Sequence, residues 1–176
     1  EVILAAGALN TPALLELSGV GRRDVIESNG IELKHELAGV GENLQDHYHV
    51  QVQHEVKKGI TIGDDGKFPR VVFSVFKYLF TKRGLLAFPA ANIGAFYKTA
   101  GDARPSMQIH FTPGAGGMDD KGNMTPSPVP GVNSTTCLLR PESRGHVHIR
   151  SSDPKAAPKI LYNYLSTEND RRRTVE

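Results

Sequence analysis

The hydrophobic and polar positions at the start of the chain predict a strand, a bend and a helix. The apolar run at residues 2–6 (VILAA) has the length of a buried strand and begins with β-branched residues. Residues 7–10 (GALN) begin with Gly and end with Asn, and they predict a turn. Thr11 then fits a helix N-cap and Pro12 the first helical position, where its missing N–H costs nothing. Leucines after Pro12 give the helix an apolar face, and Gly19 predicts its end.

A strand, a small-residue bend and a helix N-terminus together also form a common ligand-binding arrangement. Small side chains let a ligand approach the backbone, and the unpaired N–H groups at the helix start favour an anionic group such as a phosphate. Many α/β proteins contain such a connection without binding anything. A purely structural connection is therefore the alternative to a ligand site.

The next part of the chain alternates between short helical and strand patterns. Residues 22–28 predict a helix, and residues 31–37 predict a strand. The period-two alternation at 48–56 (YHVQVQHEV) predicts a half-buried strand of an antiparallel sheet. Residues 71–82 (VVFSVFKYLFTK) carry apolar side chains at helical spacing, which predicts a core-facing helix; an exposed aromatic interaction surface is the alternative.

Strand patterns dominate the second half of the chain. They occur at residues 92–99, 106–112, 135–140 and 146–151. The segment 113–133 is rich in Gly and Pro and is too long for an ordinary hairpin connection, which predicts a lid or a mobile loop. Ser166 or Thr167 is placed to cap a terminal helix. This order of elements predicts an α+β fold: one βα piece at the front, then a mostly antiparallel sheet with helices.

Composition and charge exclude several classes of protein. The 21 basic and 19 acidic residues leave a net charge of +2, so we expect no nucleic-acid or membrane-surface role. Cys137 is the only cysteine, which excludes an intrachain disulfide, and its apolar neighbours predict a buried strand residue. We find no apolar run of membrane-spanning length and no signal peptide, and we therefore expect a cytoplasmic location.

Two pairs of histidines raise the question of a metal site. His47 and His49 are two residues apart, as are His146 and His148, and this spacing on a strand places each pair on one face. A zinc site also needs a third or fourth ligand, and the spacing along the chain does not supply one. We therefore predict no metal.

Four segments in this order resemble the glucose–methanol–choline (GMC) family of FAD-dependent oxidoreductases. They are residues 7–21 (GALNTPALLELSGVG), 39–47 (GVGENLQDH), 143–145 (SRG) and 162–165 (YNYL). The resemblance spans nearly the whole chain and includes the family's choline- and alcohol-oxidising members. It implies a parent enzyme that passes a hydride from an alcohol carbon to the flavin. We expect the chain to be an internal fragment of that enzyme and inactive alone.

The resemblance also implies a division into domains and a set of cofactor contacts. Residues 1–45 would end an FAD-binding α/β domain, residues 46–165 would form a mostly antiparallel-sheet substrate-binding domain, and residues 166–176 would start a truncated helix. The cofactor-binding residues would be Ala5, Ala6, Gly7 and Thr11. The family's N-terminal phosphate loop is missing, so we do not expect the fragment to retain FAD. The family's catalytic His would lie beyond residue 176, so no catalytic residue is assigned here.

For the substrate, the resemblance implicates two residues. Asn92 aligns where choline-oxidising members carry a Glu, and Arg140 is the second residue expected to face the substrate, with a surface position as its alternative. The neutral Asn92 favours a primary or aliphatic alcohol, with choline as the alternative; the electron acceptor is not implied. A different class of function also stays open: a stand-alone domain that binds a small molecule or a partner without redox chemistry.

Overall fold

The computed structural model describes residues 2–57, 61, 67–87, 91, 93–99, 101–121, 123–127 and 129–176, and Asn92 lies outside them. In chain order, the elements are α1 (Gly7–Leu17), β1 (Val20–Gly21), α2 (Arg23–Ser28), β2 (His35–Glu36), β3 (His49–Glu55), α3 (Arg70–Thr81), a 3-10 turn (Leu85–Ala87), β4 (Ile93–Tyr97), β5 (Met107–Thr112), β6 (Gly116–Met118), β7 (Met124–Pro126), β8 (Gly131–Leu138), β9 (His146–His148), β10 (Lys159–Leu161) and α4 (Glu168–Val175).

These elements form two compact units. The first combines the chain up to Tyr48 with Pro141–Glu176, and the second is His49–Arg140. The predicted boundary after residue 45 lies close to this division. Residues 141–165, which we expected in the substrate-binding domain, instead pack with the first unit. The mixture of helices with antiparallel sheets confirms the α+β fold class.

The start of the chain differs from the prediction. Residues 2–5 pair with no strand in the described part of the chain, and Val2 and Ile3 are 85% and 83% exposed. A strand needs a neighbouring ladder, and none is present beside this run. Helix α1 begins at Gly7, so Pro12 lies inside it rather than at its first position. Residues 7–10, which were predicted as a turn, therefore belong to the helix, and its first residue, Gly7, has a φ of +84°.

The leucines of α1 do not form its buried face. Ala13 and Glu16 are the buried residues of this helix, whereas Leu14 is 40% exposed. Gly19 ends the helix as predicted, at a φ of +85° that favours glycine. The first unit therefore packs α1 through a small residue and a carboxylate.

Short pairings complete the first unit. Helix α2 follows its prediction to within a residue and buries Ile26. Strand β2 occupies two residues of the predicted 31–37 strand and pairs in parallel with β1. Strands β9 and β10 are antiparallel, and Val147 and Ile149 add to the core. Helix α4 is capped as predicted, because the Thr167 Oγ1 accepts a hydrogen bond from the backbone N–H of Asp170.

The second unit is built on a four-stranded antiparallel sheet with the order β3-β8-β5-β4. Met107, Leu138 and Cys137 are buried, which confirms the prediction for the cysteine. Strand β3 lies where the alternation predicted it, but all seven of its residues are exposed. The prediction that the strand is half-buried was therefore wrong. Within the predicted long loop 113–133, β6 and β7 form a small antiparallel hairpin.

Helix α3 forms where its periodicity predicted, but it does not face a core. None of its described residues is buried, and Phe73 and Phe80 are 72% and 83% exposed. Helical spacing fixes which side chains share a face, but burial also requires a partner surface. The core-facing prediction was therefore wrong. Among the described residues, no helix has the length and apolar character needed to cross a membrane.

Candidate functional site

A crevice lies beside the start of α1 in the first unit. Its volume is about 300 Å³. The lining residues are Ala8, Pro12, Gly41, Glu42, Asn43, Leu44, Gln45 and Val147. The wall therefore combines the first turns of α1 with residues 41–45, which are two of the segments singled out in the sequence. Typical ligand pockets have volumes of about 300–1,000 Å³, so this crevice has room for part of a large ligand.

The bend that precedes α1 is open. Ala5, Ala6 and Gly7 are exposed, and a Cβ added to Gly7 would meet nothing within 4 Å. No side chain caps the helix at its N-cap residue, Ala6. Thr11, predicted as the N-cap, instead accepts a hydrogen bond from the Ala6 N–H at 3.1 Å from within the helix. A hydrogen bond thus joins two of the four predicted cofactor residues, Ala6 and Thr11, and none of the four is among the residues that line the crevice.

Gly41 brings the crevice loop against β9. Its φ is +79°, and an added Cβ would lie 2.2 Å from the carbonyl oxygen of Val147. The Val147 N–H donates to the Gly41 carbonyl at 2.7 Å, which fixes this close approach. Only glycine fits both the backbone conformation and the space.

Glu16 anchors the interior of the first unit. Its side chain is fully buried, and one carboxylate oxygen lies 2.6 Å from Nδ1 of His148. The other oxygen accepts the backbone N–H of Ile149 at 2.8 Å. A buried carboxylate is tolerated only when such partners replace its water. Helix α1 and strand β9 are therefore joined through a polar contact rather than an apolar one.

Glu42 extends this contact towards the crevice. Its Oε1 lies 3.1 Å from Nε2 of His148 and accepts a hydrogen bond from Nη1 of Arg22 at 2.7 Å. The hydrogen bond from Arg22 is the main cause that lowers the pKa of Glu42 below its usual value, with a smaller contribution from His148. Glu42 therefore carries a negative charge at neutral pH on the crevice wall.

The segment 143–145 has a structural role. Asp170 is 1% exposed and accepts hydrogen bonds from the N–H groups of Glu142 and Ser143, at 2.8 Å each, and from the Ser143 hydroxyl at 2.5 Å. At Gly145, an added Cβ would lie 1.8 Å from the carbonyl oxygen of Leu161. The segment ties α4 and the start of β9 into the first unit.

The segments 39–47 and 162–165 also meet. The hydroxyl of Tyr164 donates to Asp46 at 2.5 Å, and its ring stacks on Tyr162 with centroids 5.0 Å apart. Burial, followed by the hydrogen bond to Asp46, raises the pKa of Tyr164, so its hydroxyl stays protonated. An isolated antiparallel bridge between Leu44 and Gly145 also joins the segment 39–47 to the segment 143–145.

The described structure does not test the two residues predicted to face the substrate. Asn92 lies outside the described residues. Arg140 is exposed in the second unit, and its guanidinium donates to the carbonyl of Pro105. Both assignments stay predictions.

Sequence reasoning missed the polar residues of the first unit. Glu16 is the one carboxylate among the leucines of α1. Its position in this apolar stretch was the sequence feature that could have indicated a buried ionic contact. Glu42 lay within a segment noted for its resemblance but was given no role. The spacing of the histidines supplied no third ligand, whereas the fold brings Glu42 beside His146 and His148.

Comparison with known proteins identifies both ends of the chain. Residues 1–49 match the N-terminal region and residues 141–176 the C-terminal region of the family described as GMC oxidoreductase. These two matched regions coincide, to within one residue, with the first compact unit. They confirm the resemblance drawn from the sequence segments.

The relatives agree with this family. The chain is 37% identical over its full length to the oxygen-dependent choline dehydrogenase of Staphylococcus epidermidis, of which it covers 30%. It is 36% identical to the Staphylococcus aureus protein of the same description, of which it covers 31%.

Solved structures show the same fold over almost the whole chain. A formate oxidase from Aspergillus oryzae, whose description names FAD modification, aligns with 97% of this chain. The aligned region is 34% of the oxidase chain, the TM-score is 0.83 and the sequence identity is 26%. A pyridoxine 4-oxidase from Mesorbium loti has a TM-score of 0.71 over 96% of this chain at 22% identity, with 29% of its own chain covered. The chain thus spans about a third of the length of these proteins.

Proposed function

Since this chain carries the N-terminal and C-terminal regions of the GMC oxidoreductase family, we propose that it is part of an FAD-dependent enzyme that oxidises the CH–OH group of an alcohol. The crevice at the start of α1 is the structural feature that carries the proposal. When bound, FAD accepts the hydride from the substrate carbon. The choline dehydrogenase relatives and the formate oxidase neighbour support this chemistry.

The residues of the first unit fit a nucleotide-type cofactor. Ala5, Ala6 and Gly7 leave the backbone open to a ligand, and Ala8 lines the crevice. The uncapped start of α1 offers N–H groups and a positive dipole end to a phosphate. We assign these residues and Thr11 to the cofactor wall. The role of this chain is to position the cofactor, and no residue described above is assigned as the catalytic base.

A bulky side chain in the crevice wall should reduce cofactor binding. In the protein that contains this chain, we expect Ala8→Phe to weaken FAD binding roughly 10- to 100-fold, because overpacking costs about 1–3 kcal/mol. Asn10→Phe is the matched control, since Asn10 is exposed on the same helix and does not line the crevice. Flavin absorbance at fixed FAD concentrations measures both variants. Equal losses in the two variants would place the cofactor elsewhere.

Substrate preference tests the assignment of Asn92. We propose a primary or aliphatic alcohol as substrate, with choline as the second candidate because of the curated relatives. If Asn92 lines the substrate pocket, Asn92→Glu should raise the kcat/KM for cationic alcohols relative to neutral ones by about tenfold, since an added carboxylate attracts the cation. An unchanged ratio, measured with choline and a neutral alcohol of similar size, removes Asn92 from the pocket.

The stand-alone binding domain is tested by colour and activity. A protein that contains this chain should be yellow and should reduce an artificial electron acceptor when it is given an alcohol. A colourless and inert protein supports the binding domain without redox chemistry instead. The cytoplasmic location and the absence of a nucleic-acid partner stay predictions.

A further inference from the structure

Two histidines and a carboxylate converge next to the crevice wall. Strand β9 carries His146 and His148 on one face, with their rings stacked at 5.0 Å between centroids. Glu42 reaches the same place from the loop that lines the crevice. One ligand atom from each of the three side chains lies within 4.8 Å of the other two.

The contacts of His148 fix which ring nitrogen faces this cluster. Glu16 is fully buried and lies 2.6 Å from Nδ1, so an N–H at Nδ1 satisfies the carboxylate. In the neutral ring, Nε2 then presents a lone pair to the Oε1 of Glu42, 3.1 Å away. With Nδ1 protonated, a metal ion shared by Nε2 and Oε1 satisfies both atoms. Carboxylate–histidine pairs of this kind support metal-ligating histidines in many proteins.

The 3.1 Å separation matches two ligands of one ion. With bonds of about 2.0–2.2 Å and angles between 90° and the tetrahedral value, two donor atoms lie roughly 3.0–3.5 Å apart. His146 must rotate modestly to complete the ligand set.

We propose that Glu42, His146 and His148 bind a divalent transition metal such as Zn²⁺, with Glu16 holding His148 in position. Two imidazoles and a carboxylate form a ligand set that this ion prefers, and the fourth position is left for water. The ion joins the crevice loop to strand β9. Zn²⁺ binding at this site requires no flavin, so it can be tested independently of the proposed oxidoreductase function.

The test is titration of the metal-free protein with Zn²⁺ in a calorimeter, with Co²⁺ absorption as a second readout of imidazole ligation. We expect one ion per chain, and an increase in Tm when Zn²⁺ is in excess. His146→Ala should weaken binding at least tenfold. Glu16→Gln should weaken it roughly 10- to 100-fold, as is usual when the partner of a ligating histidine is lost. His35→Ala is the control, because His35 is exposed on β2 of the same unit, away from the cluster.

The outcomes separate the site from its alternatives. Absence of Zn²⁺ binding up to millimolar concentration overturns the proposal and leaves His148 as a hydrogen-bonded link between Glu16 and Glu42. Binding that His146→Ala and His35→Ala reduce equally identifies an adventitious ion. If His146→Ala fails to fold, Glu42→Gln provides the second variant, and wild-type affinity in that variant also overturns the site.

Discussion

Replacing Asp170 with asparagine is expected to destabilise the protein by about 3 kcal/mol, because hydrogen bonds to a buried charged group each contribute about 1.5–3 kcal/mol. The carboxylate of Asp170 accepts from two backbone N–H groups and from the Ser143 hydroxyl, and it is 1% exposed. An amide turns an NH₂ donor towards at least one of these donors. The loss is measured as the difference in the free energy of unfolding by denaturant, for variants with the same denaturant dependence m.

Glu168→Gln is the matched control for this substitution. Glu168 lies in the same first turn of α4, and its substitution removes the same charge from the same helix N-terminus. Its side chain is 81% exposed and bonds only an exposed Arg171 in the described contacts. We expect a loss below about 1 kcal/mol. Similar losses in the two variants would mean that helix-end charge, and not the buried hydrogen bonds, stabilises α4.

The contribution of Asp170 to stability should decrease as the pH falls. Burial raises the pKa of Asp170, but the hydrogen bonds from Glu142, Ser143 and Thr167 outweigh it, so the net pKa is lowered from the usual 3.8. The folded state therefore binds the proton less readily than the unfolded state. The stabilisation is complete above the unfolded pKa and is lost as the pH falls below it towards the folded pKa. The stability gap between wild type and Asp170→Asn should hence shrink below about pH 4.

Replacing Gly41 with alanine is expected to cost about 2–5 kcal/mol, the sum of left-handed backbone strain and overpacking. The added Cβ would lie 2.2 Å from the Val147 carbonyl oxygen and 2.7 Å from Nδ1 of His148. The Val147 oxygen belongs to the backbone and cannot turn away. The variant should also move the crevice loop, so we expect weaker FAD binding in the same protein.

Gly30→Ala separates the two causes. Gly30 also has a positive φ, +73°, but an added Cβ there would meet nothing within 4 Å. This variant measures backbone strain alone, and we expect about 1–2 kcal/mol. A cost at Gly41 no greater than that at Gly30 would show that the loop and β9 can move apart freely.

Much of the local structure followed from the sequence. Gly19 ends α1 as predicted, and Thr167 caps α4. Strands β3, β4 and β5 lie within their predicted ranges, whereas β8 begins at Gly131, four residues before the predicted 135–140 strand. These signals act within a few residues, because a cap, a positive φ or a period-two pattern depends on neighbours along the chain. The family segments were visible for the same reason.

Burial could not be predicted in the same way. Helix α3 has an apolar face that no described part of the structure covers, whereas Glu16, a carboxylate, is fully buried. The partner of Glu16 is His148, which lies 132 residues further along the chain. No window of local sequence contains both residues. The start of α1 was misplaced because no strand among the described residues pairs with the run before it.

The sequence by itself indicated the resemblance to GMC oxidoreductases, the α+β class and most element positions, because these depend on segments that are continuous in the chain. Only the tertiary structure decided which side chains are buried and which polar groups meet, including Glu16 with His148 and Asp170 with Ser143. The physical reason is that a hydrogen bond or a close backbone approach stabilises only groups that the fold brings within about 3 Å, whatever their separation in sequence.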